Sequence, residues 1–319
     1  MSKVLIAGGA GFLGSHLAES LIERDHEIVV VDDLSSGLMT NLSSVEGSIE
    51  FFNEDIAKFD YPKRVDVIVN LASRASRIEW ETFPVEVALT NSVGNNNLIK
   101  LAIKNEALYL FASSSEIYGN PEVLPTPEEY VGRTSTVGSR SPYDEGKRFG
   151  ETLVKAYERE HGLKNVIMRI FNTYGPRMRG GNIYGRVIDR FMMQALTGEP
   201  ITIYGDGSQT RSFTYVSDTV SGIMLLIERG RTGEIYNIGS DKEKRIVEVA
   251  NLVKSISSSK SLIKYLPLPP DDPSRRSANV SKLRRLGWSP KINLENGIKK
   301  TLKYYAESLK VADYTQKDK

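Results

Sequence analysis

The sequence predicts an α/β fold, a doubly wound parallel sheet joined to a smaller α/β C-terminal region. Three observations carry this. Short apolar runs at residues 3–7, 27–31, 65–70, 108–112 and 166–170 alternate with amphipathic stretches. Continuous apolar runs mark strands buried on both faces, hence a parallel sheet with helices on either side. The first run leads into a glycine-rich turn, GGAGFLG at 8–14, that opens an amphipathic helix over 15–24. Beyond residue 171 the texture changes, with glycine, proline and arginine dense over 174–185 and proline again over 267–273. The expected division is therefore a sheet domain over 1–170 and a smaller region over 171–319, from which 213–238 returns to the sheet. Two longer helices are expected, over 91–104 and over 143–161, the second stopped by Gly162.

Composition narrows the classes of function. The chain has 319 residues, 40% hydrophobic and 26% charged, which is ordinary globular usage with ample length for a large core. A net charge of +2 argues against a nucleic-acid surface. There is no cysteine, and His16, His26 and His161 are scattered without metal-ligand spacing, so neither thiolate nor metal chemistry is expected. No apolar run approaches the roughly 18 residues of a membrane span. The first strand begins within three residues of the start, leaving no room for a signal peptide. A cytoplasmic protein is the expectation.

The turn at 8–14 has a physical purpose. Gly8, Gly11 and Gly14 lack a Cβ, so backbone there can touch a pyrophosphate, and the helix that follows offers free N–H groups around Phe12 and Leu13. Asp32 ends the second strand, about twenty residues on, where a carboxylate accepts hydrogen bonds from an adenosine ribose. An acid there favours NAD over NADP, and Asp33-Leu-Ser-Ser36 follows rather than a basic pair. Asp55, with Ile56 beside it, either approaches the adenine or serves as a turn or N-cap aspartate.

Tyr143-Asp-Glu-Gly-Lys147 places a phenol and an ammonium four residues apart, one turn apart on one helix face. Free tyrosine titrates near ~10. A lysine beside it is expected to favour the phenolate and bring proton transfer toward neutral pH. The pair alone equally describes a solvated helix face.

Together these residues resemble the extended short-chain dehydrogenase/reductases, NAD-dependent epimerases and dehydratases with a Rossmann domain. The resemblance is strongest to the UDP-glucuronate decarboxylases. It rests on Ser113-Ser-Ser-Glu-Ile-Tyr-Gly119, Tyr143-Asp-Glu-Gly-Lys-Arg148 and Arg169-Ile-Phe-Asn-Thr-Tyr-Gly-Pro-Arg-Met178. It continues in Tyr204-Gly-Asp-Gly-Ser-Gln-Thr-Arg-Ser-Phe213 and Leu266-Pro-Leu-Pro-Pro-Asp-Asp-Pro273. The resemblance implies a nucleotide-sugar substrate, most simply a UDP-sugar, and a tightly held NAD that oxidises the sugar C4 hydroxyl and later reverses the step. It makes Tyr143 the base, Lys147 the residue that holds the cofactor ribose, and Ser114 a partner of the reacting oxygen. Leu71, Ala72 and Ser73 would flank the nicotinamide. Asn91 would support that region, or act as an N-cap to the helix that begins there. Ser115, Asn172, Arg177, Tyr204, Arg275 and Arg276 would bind substrate, and Arg211 would hold the diphosphate or help reprotonate C5. The helices over 91–104 and 143–161 resemble the pair through which relatives form homodimers.

What happens at the ketone depends on Glu116. The family's simple epimerases carry a small or apolar residue there, and many 4,6-dehydratases an Asp-Glu pair over 115–116. Ser115-Glu116 fits a decarboxylase, in which Glu116 would hold a reactive ring conformation or relay a proton. One departure stands out. The decarboxylases read Leu-Ala-Ser-Pro-Ala-Ser-Pro where this chain has Leu71-Ala-Ser-Arg-Ala-Ser-Arg77. Arg77 is thus a candidate for gripping a uronate carboxylate. Decarboxylation of UDP-glucuronate leads, with 4-epimerisation of a UDP-sugar, 4,6-dehydration and a non-catalytic NAD sensor as alternatives.

Overall fold

A computed structural model describes residues 1–179, 186–268 and 273–317. The first half alternates strands and helices: β1 (Lys3–Ala7), α1 (Phe12–Ile22), β2 (Glu27–Val31), β3 (Ile49–Phe52) and β4 (Val67–Asn70). It continues through α2 (Arg77–Thr82), α3 (Pro84–Leu89), α4 (Asn95–Asn105), β5 (Leu108–Ser114), α5 (Ser141–His161) and β6 (Asn165–Ile170). The second half contains β7 (Thr173–Tyr174), α6 (Val187–Thr197), β8 (Ile201–Tyr204), β9 (Thr210–Ser212), β10 (Thr214–Tyr215), α7 (Val216–Arg229) and β11 (Glu234–Ile238). It ends with β12 (Glu243–Arg245), α8 (Ile246–Ile256), β13 (Ile263–Leu266), β14 (Arg275–Arg276), α9 (Ser281–Arg285) and α10 (Leu294–Lys317). Parts of the glycine-rich stretch over 174–185 and of the proline-rich stretch over 267–273 lie outside the described residues.

One seven-stranded sheet has the order β3-β2-β1-β4-β5-β6-β11, all parallel. Alternation along each strand sends neighbours to opposite faces. Val4 and Ile6 of β1 enter one apolar cluster with Leu17 and Leu21 of α1, whereas Leu5 and Ala7 enter another with Leu98 and Ala102 of α4. That is why the run over 3–7 is apolar throughout. β11 pairs in parallel with β6 as the last strand of the sheet, while α7 contributes Val220 and Ile223 to the α1 face. No helix among the described residues is long and apolar enough to cross a membrane.

Two features set the site geometry. Helix α5 lies close against β5, since a Cβ on Gly150 would come within 2.4 Å of the Phe111 ring. It is also pinned electrostatically: Glu151 accepts two hydrogen bonds from the Arg169 guanidinium at 2.9 and 2.7 Å and one from Ser113 at 2.5 Å. The helix expected to begin at Asn91 instead begins at Pro84, a residue suited to a first turn, and Asn91 sits inside a π-helical turn at Thr90–Gly94. Asn91 is therefore not an N-cap. The extra residue in that turn carries its amide inward toward the end of β4.

The smaller region is built from short sheets. β8 pairs with β13, and β9 lies between β12 and β14, with Arg211 in register beside Arg276. Ile201, Ile203 and Val249 share the apolar cluster of the α1 face, so the region packs on the sheet domain through common core.

Candidate active site

The chain runs outward from β1 to β2 and β3, then returns to place β4 on the other side of β1. Ligands of such sheets bind at this reversal, beyond the carboxyl ends of the strands. Here the glycines are needed. Gly8 has φ +78, and a Cβ on it would lie 2.8 Å from the Ala72 backbone. A Cβ on Gly14 would lie 2.2 Å from the Gly8 carbonyl oxygen. The turn, the start of α1 and the end of β4 thus meet with bare backbone between them. Asp32 is buried, accepting the Ala10 N–H at 3.0 Å on one oxygen and the Leu34 N–H at 2.9 Å on the other. A carboxylate has about four acceptor positions, so both oxygens keep capacity for ribose hydroxyls.

Gly8, Gly11, Phe12, Leu13, Gly14, Asp32, Asp55, Ile56, Leu71, Ala72 and Ser73 all line one cavity of about 200 Å³ at this point. Asp55 accepts the Ala57 N–H at 2.9 Å as a turn aspartate and also lines the cavity. The donor set and bare backbone fit a dinucleotide. Gly14→Ala is expected to abolish retention of NAD, because the added methyl meets backbone that cannot move aside. The ultraviolet absorbance ratio of the purified variant checks this, and a wild-type ratio contradicts it.

A larger cavity of about 780 Å³ adjoins it, in the size range of small-ligand pockets. Tyr143 and Lys147 both face it from α5 and both are buried, so the four-residue spacing does place them on one face. Their electrostatics differ from the expectation. The Lys147 ammonium donates to the Ala112 carbonyl at 2.7 Å and lies 5.8 Å from the centre of the Tyr143 ring. Burial lowers its own pKa to about 7, partly opposed by Glu151. The Tyr143 phenol is pushed up, not down, because burial outweighs the opposing influence of Arg186 and of a hydrogen bond with Ser114. Arg186 and Ser114 are the groups that oppose this rise.

Glu116 occupies a 3₁₀ turn at Ser115–Tyr118, directly after β5. Its carboxylate is held between two guanidinium groups, those of Arg140 and Arg276, the latter making a second bond at 2.9 Å. Burial works against its charge, but Arg276 and Arg140 prevail and bring its pKa down to about 2. Glu116 is thus a permanent carboxylate near neutral pH and is unsuited to relaying a proton through its own carboxyl. Asp144 sits behind it, 3.7 Å from Arg140, and burial and the Glu116 charge push its pKa up to about 7.

Of the predicted substrate residues, Ser115, Asn172, Tyr204, Arg211, Arg276 and Arg77 line the large cavity together with Ser114 and Glu116. Arg77 stands at the start of α2, half-exposed and paired with Glu81 at 2.9 Å. Arg177 and Arg275 are placed elsewhere. Arg177 lines the dinucleotide cavity and pairs with Glu19 of α1 at 2.5 Å. Arg275 faces solvent, paired with Glu243 at 2.7 Å, because neighbouring strand residues point to opposite faces. Asn91 is buried and donates its amide to the Ser73 hydroxyl at 3.1 Å and the Val87 carbonyl at 2.8 Å, bracing the end of β4.

Sequence reasoning missed Trp80, Arg140, Asp144 and Arg186. Trp80 stacks on Tyr143 with centroids 4.6 Å apart and planes 16° apart, and the Arg140 guanidinium lies 5.2 Å over the same indole. Arg186 lines both cavities. Asp144 had a signal, since it lies inside the Tyr143–Lys147 motif. Trp80 had none, because the packing of α2 against α5 is a long-range contact.

A dinucleotide cradle opening beside a buried phenol, hydroxyl and lysine defines an enzyme that oxidises or reduces a carbon–oxygen bond. The model of the NAD dependent epimerase/dehydratase family matches residues 4–239. UDP-glucuronic acid decarboxylase 1 of Danio rerio is 42% identical over 310 residues, covering 96% of this chain and 73% of the relative. UDP-glucuronic acid decarboxylase 5 of Arabidopsis thaliana is 43% identical over 302 residues, covering 93% and 87%. Among solved structures, UDP-glucose 4-epimerase of Thermotoga maritima with UDP-glucose superposes with a TM-score of 0.89 at 32% identity, covering 96% of this chain and 99% of that one. UDP-glucuronic acid 4-epimerase of Bacillus cereus, in complex with UDP-glucuronic acid and NAD, gives 0.88 at 28% identity with the same coverage. The chain belongs to the NAD dependent epimerase/dehydratase family, and NAD is its cofactor.

Proposed function

We propose that this enzyme decarboxylates UDP-glucuronate to UDP-xylose through a C4-keto intermediate, with NAD regenerated in each cycle. The observation that carries the reading is the fixed Glu116 carboxylate, clamped by Arg140 and Arg276 in the cavity that holds Tyr143 and Ser114. The kinship to UDP-glucuronic acid decarboxylases over most of the chain supports it. When bound, NAD supplies reversible oxidation at the sugar C4. Tyr143 as its phenolate, a form that the positive charge of the bound oxidised cofactor would favour, accepts the C4 hydroxyl proton, and Ser114 holds the reacting oxygen. The ketone stands β to the C6 carboxylate, so loss of CO2 leaves its electron pair delocalised onto the C4 oxygen as an enolate. Tyr143, now a neutral phenol, and Ser114 donate hydrogen bonds to that oxygen. The enolate then takes a proton at C5 from solvent, and reduction at C4 with return of the Tyr143 proton to the C4 oxygen gives UDP-xylose. Glu116 and its two arginines set the charge beside the sugar ring, and Arg211 with Arg276, side by side on adjacent strands, bind anionic groups of the substrate.

Epimerisation of a UDP-uronate at C4 is the second reading, favoured by Arg77 at the cavity rim where the decarboxylases carry proline. Incubation with UDP-glucuronate, UDP-glucose, GDP-mannose and dTDP-glucose, followed by mass spectrometry, separates the outcomes. Loss of CO2 from UDP-glucuronate is expected. An isobaric product supports epimerisation, loss of water supports dehydration, and no change with any of the four supports the sensor. We also infer a homodimer joined through α3, α4 and α5. Val85, Leu89 and Val93 recur every four residues and are 63%, 49% and 48% exposed, and Phe149 of α5, the helix against which α3 packs, is 50% exposed. A monomeric mass in light scattering contradicts this.

A further inference from the structure

The geometry points to Arg74 as a cofactor-binding residue, a strap whose guanidinium holds the pyrophosphate of NAD against the glycine turn. Three backbone segments wall the dinucleotide cavity: the turn at 8–14, the loop after β2 and the loop after β4. They are in close contact. The Ala72 backbone abuts Gly8, and Leu38 of the β2 loop donates its N–H to the Ala10 carbonyl at 3.0 Å. Arg74 follows Ala72 by two residues and spans from the β4 loop to the β2 loop, with Nη1 3.5 Å from the Ser35 carbonyl. Its side chain is only 16% exposed.

Arg74 is held in this position from outside the cavity. Its guanidinium lies 4.4 Å over the Phe83 ring and 3.6 Å from Glu79. Glu79 is itself fixed, since its other oxygen accepts the Ser76 hydroxyl at 2.7 Å and the Ser76 N–H at 3.2 Å in a capping box at the start of α2. The Arg74 carbonyl accepts the Trp80 indole N–H at 3.1 Å, which ties the strap to the ring stacked on Tyr143. A guanidinium carries five N–H donors in a planar fork. The two polar contacts of the Arg74 guanidinium among the described residues both fall on Nη1 and are long, which leaves Nε and Nη2 for a ligand.

The group that such a fork suits is an oxyanion, and two oxygens of a phosphate are matched by two parallel N–H bonds. The dinucleotide's anionic part is its pyrophosphate, which the bare backbone at Gly8 and Gly11 is shaped to meet. The inference rests on the NAD dependence of the family and not on which sugar reaction follows.

The test uses the full-length enzyme as purified with its NAD. Arg74→Ala is expected to release NAD about 10- to 100-fold faster on dialysis, the loss of a hydrogen-bonded charge contact. Added salt should accelerate release from wild type more than from the variant. Calorimetric titration of the NAD-stripped proteins should show weaker binding of ADP-ribose by the variant and equal binding of adenosine. UDP affinity, measured separately, reports on the substrate cavity and should not change. Should Arg74→Ala lose its melting transition, Arg74→Gln, similar in length and uncharged, carries the same measurements. Release of NAD at the wild-type rate, or an equal loss for adenosine and ADP-ribose, overturns the assignment.

Discussion

Tyr143→Phe is expected to lower kcat by about 10²- to 10⁴-fold, the range lost with a positioned acid–base group. The substitution removes one oxygen and little else. The ring that stacks on Trp80 at 4.6 Å is kept, so the wall of the cavity stays in place. The dinucleotide cradle is formed by other residues, and NAD content should match wild type. The expected signature is therefore a fall in kcat with unchanged NAD occupancy and unchanged UDP affinity. Two roles depend on this oxygen, acceptance of the C4 hydroxyl proton and a hydrogen bond to the enolate, so both oxidation of the sugar and loss of CO2 should fail. A variant that accumulates the C4 ketone at the wild-type rate would show that another group is the base.

Glu116→Gln acts on a different part of the reaction. The carboxylate lies between Arg140 and Arg276, and its removal leaves the buried Arg276 guanidinium without its counter-charge, while Arg140 keeps Asp144 at 3.7 Å. Release of CO2 is expected to fall by about 10²- to 10³-fold, the scale for losing one preorganised electrostatic group. NAD binding should be unaffected. Stability should fall by about 3 kcal/mol, the lower end for breaking a buried pair. The lower end applies because the Glu116 charge is one cause of the raised pKa of Asp144, which ionises more readily once that charge is gone.

The pH dependence follows from the sign of the shift. Glu116 is depressed from 4.5 to about 2, so between those values the unfolded chain holds more protons than the folded one. The stabilisation is complete above about pH 4.5 and is lost as pH falls toward 2. The variant should lack this acid-side slope in melting temperature. Wild-type CO2 release by Glu116→Gln would remove the residue from the mechanism.

The sheet was legible in the sequence because strands buried on both faces cannot disguise their composition. Residues 3–7 and 27–31 are apolar throughout for that reason, and the observed β1 and β2 coincide with them. The glycine turn and Asp32 were legible because close backbone approach and a strand-end carboxylate are local requirements. What escaped was long-range. Nothing near position 116 in the sequence announces that Arg140 and Arg276 will close on it. The Tyr143–Lys147 spacing gave the face of the helix but not the upward push on the phenol, because burial is set by tertiary packing. Asn91 was misplaced as a helix start because a π-helical turn leaves no simple mark in hydrophobic periodicity. The alternation of strand residues separated Arg275 from Arg276, which sequence treated as interchangeable.

The most direct test of a decarboxylase that works through its own NAD uses UDP-glucuronate carrying carbon-13 at C6. The purified enzyme is incubated without added cofactor, and the headspace gas and the nucleotide product are analysed together. Label appearing as CO2, with an unlabelled UDP-pentose left in solution, is the predicted result. Label retained in an isobaric UDP-uronate would contradict it and make the enzyme an epimerase.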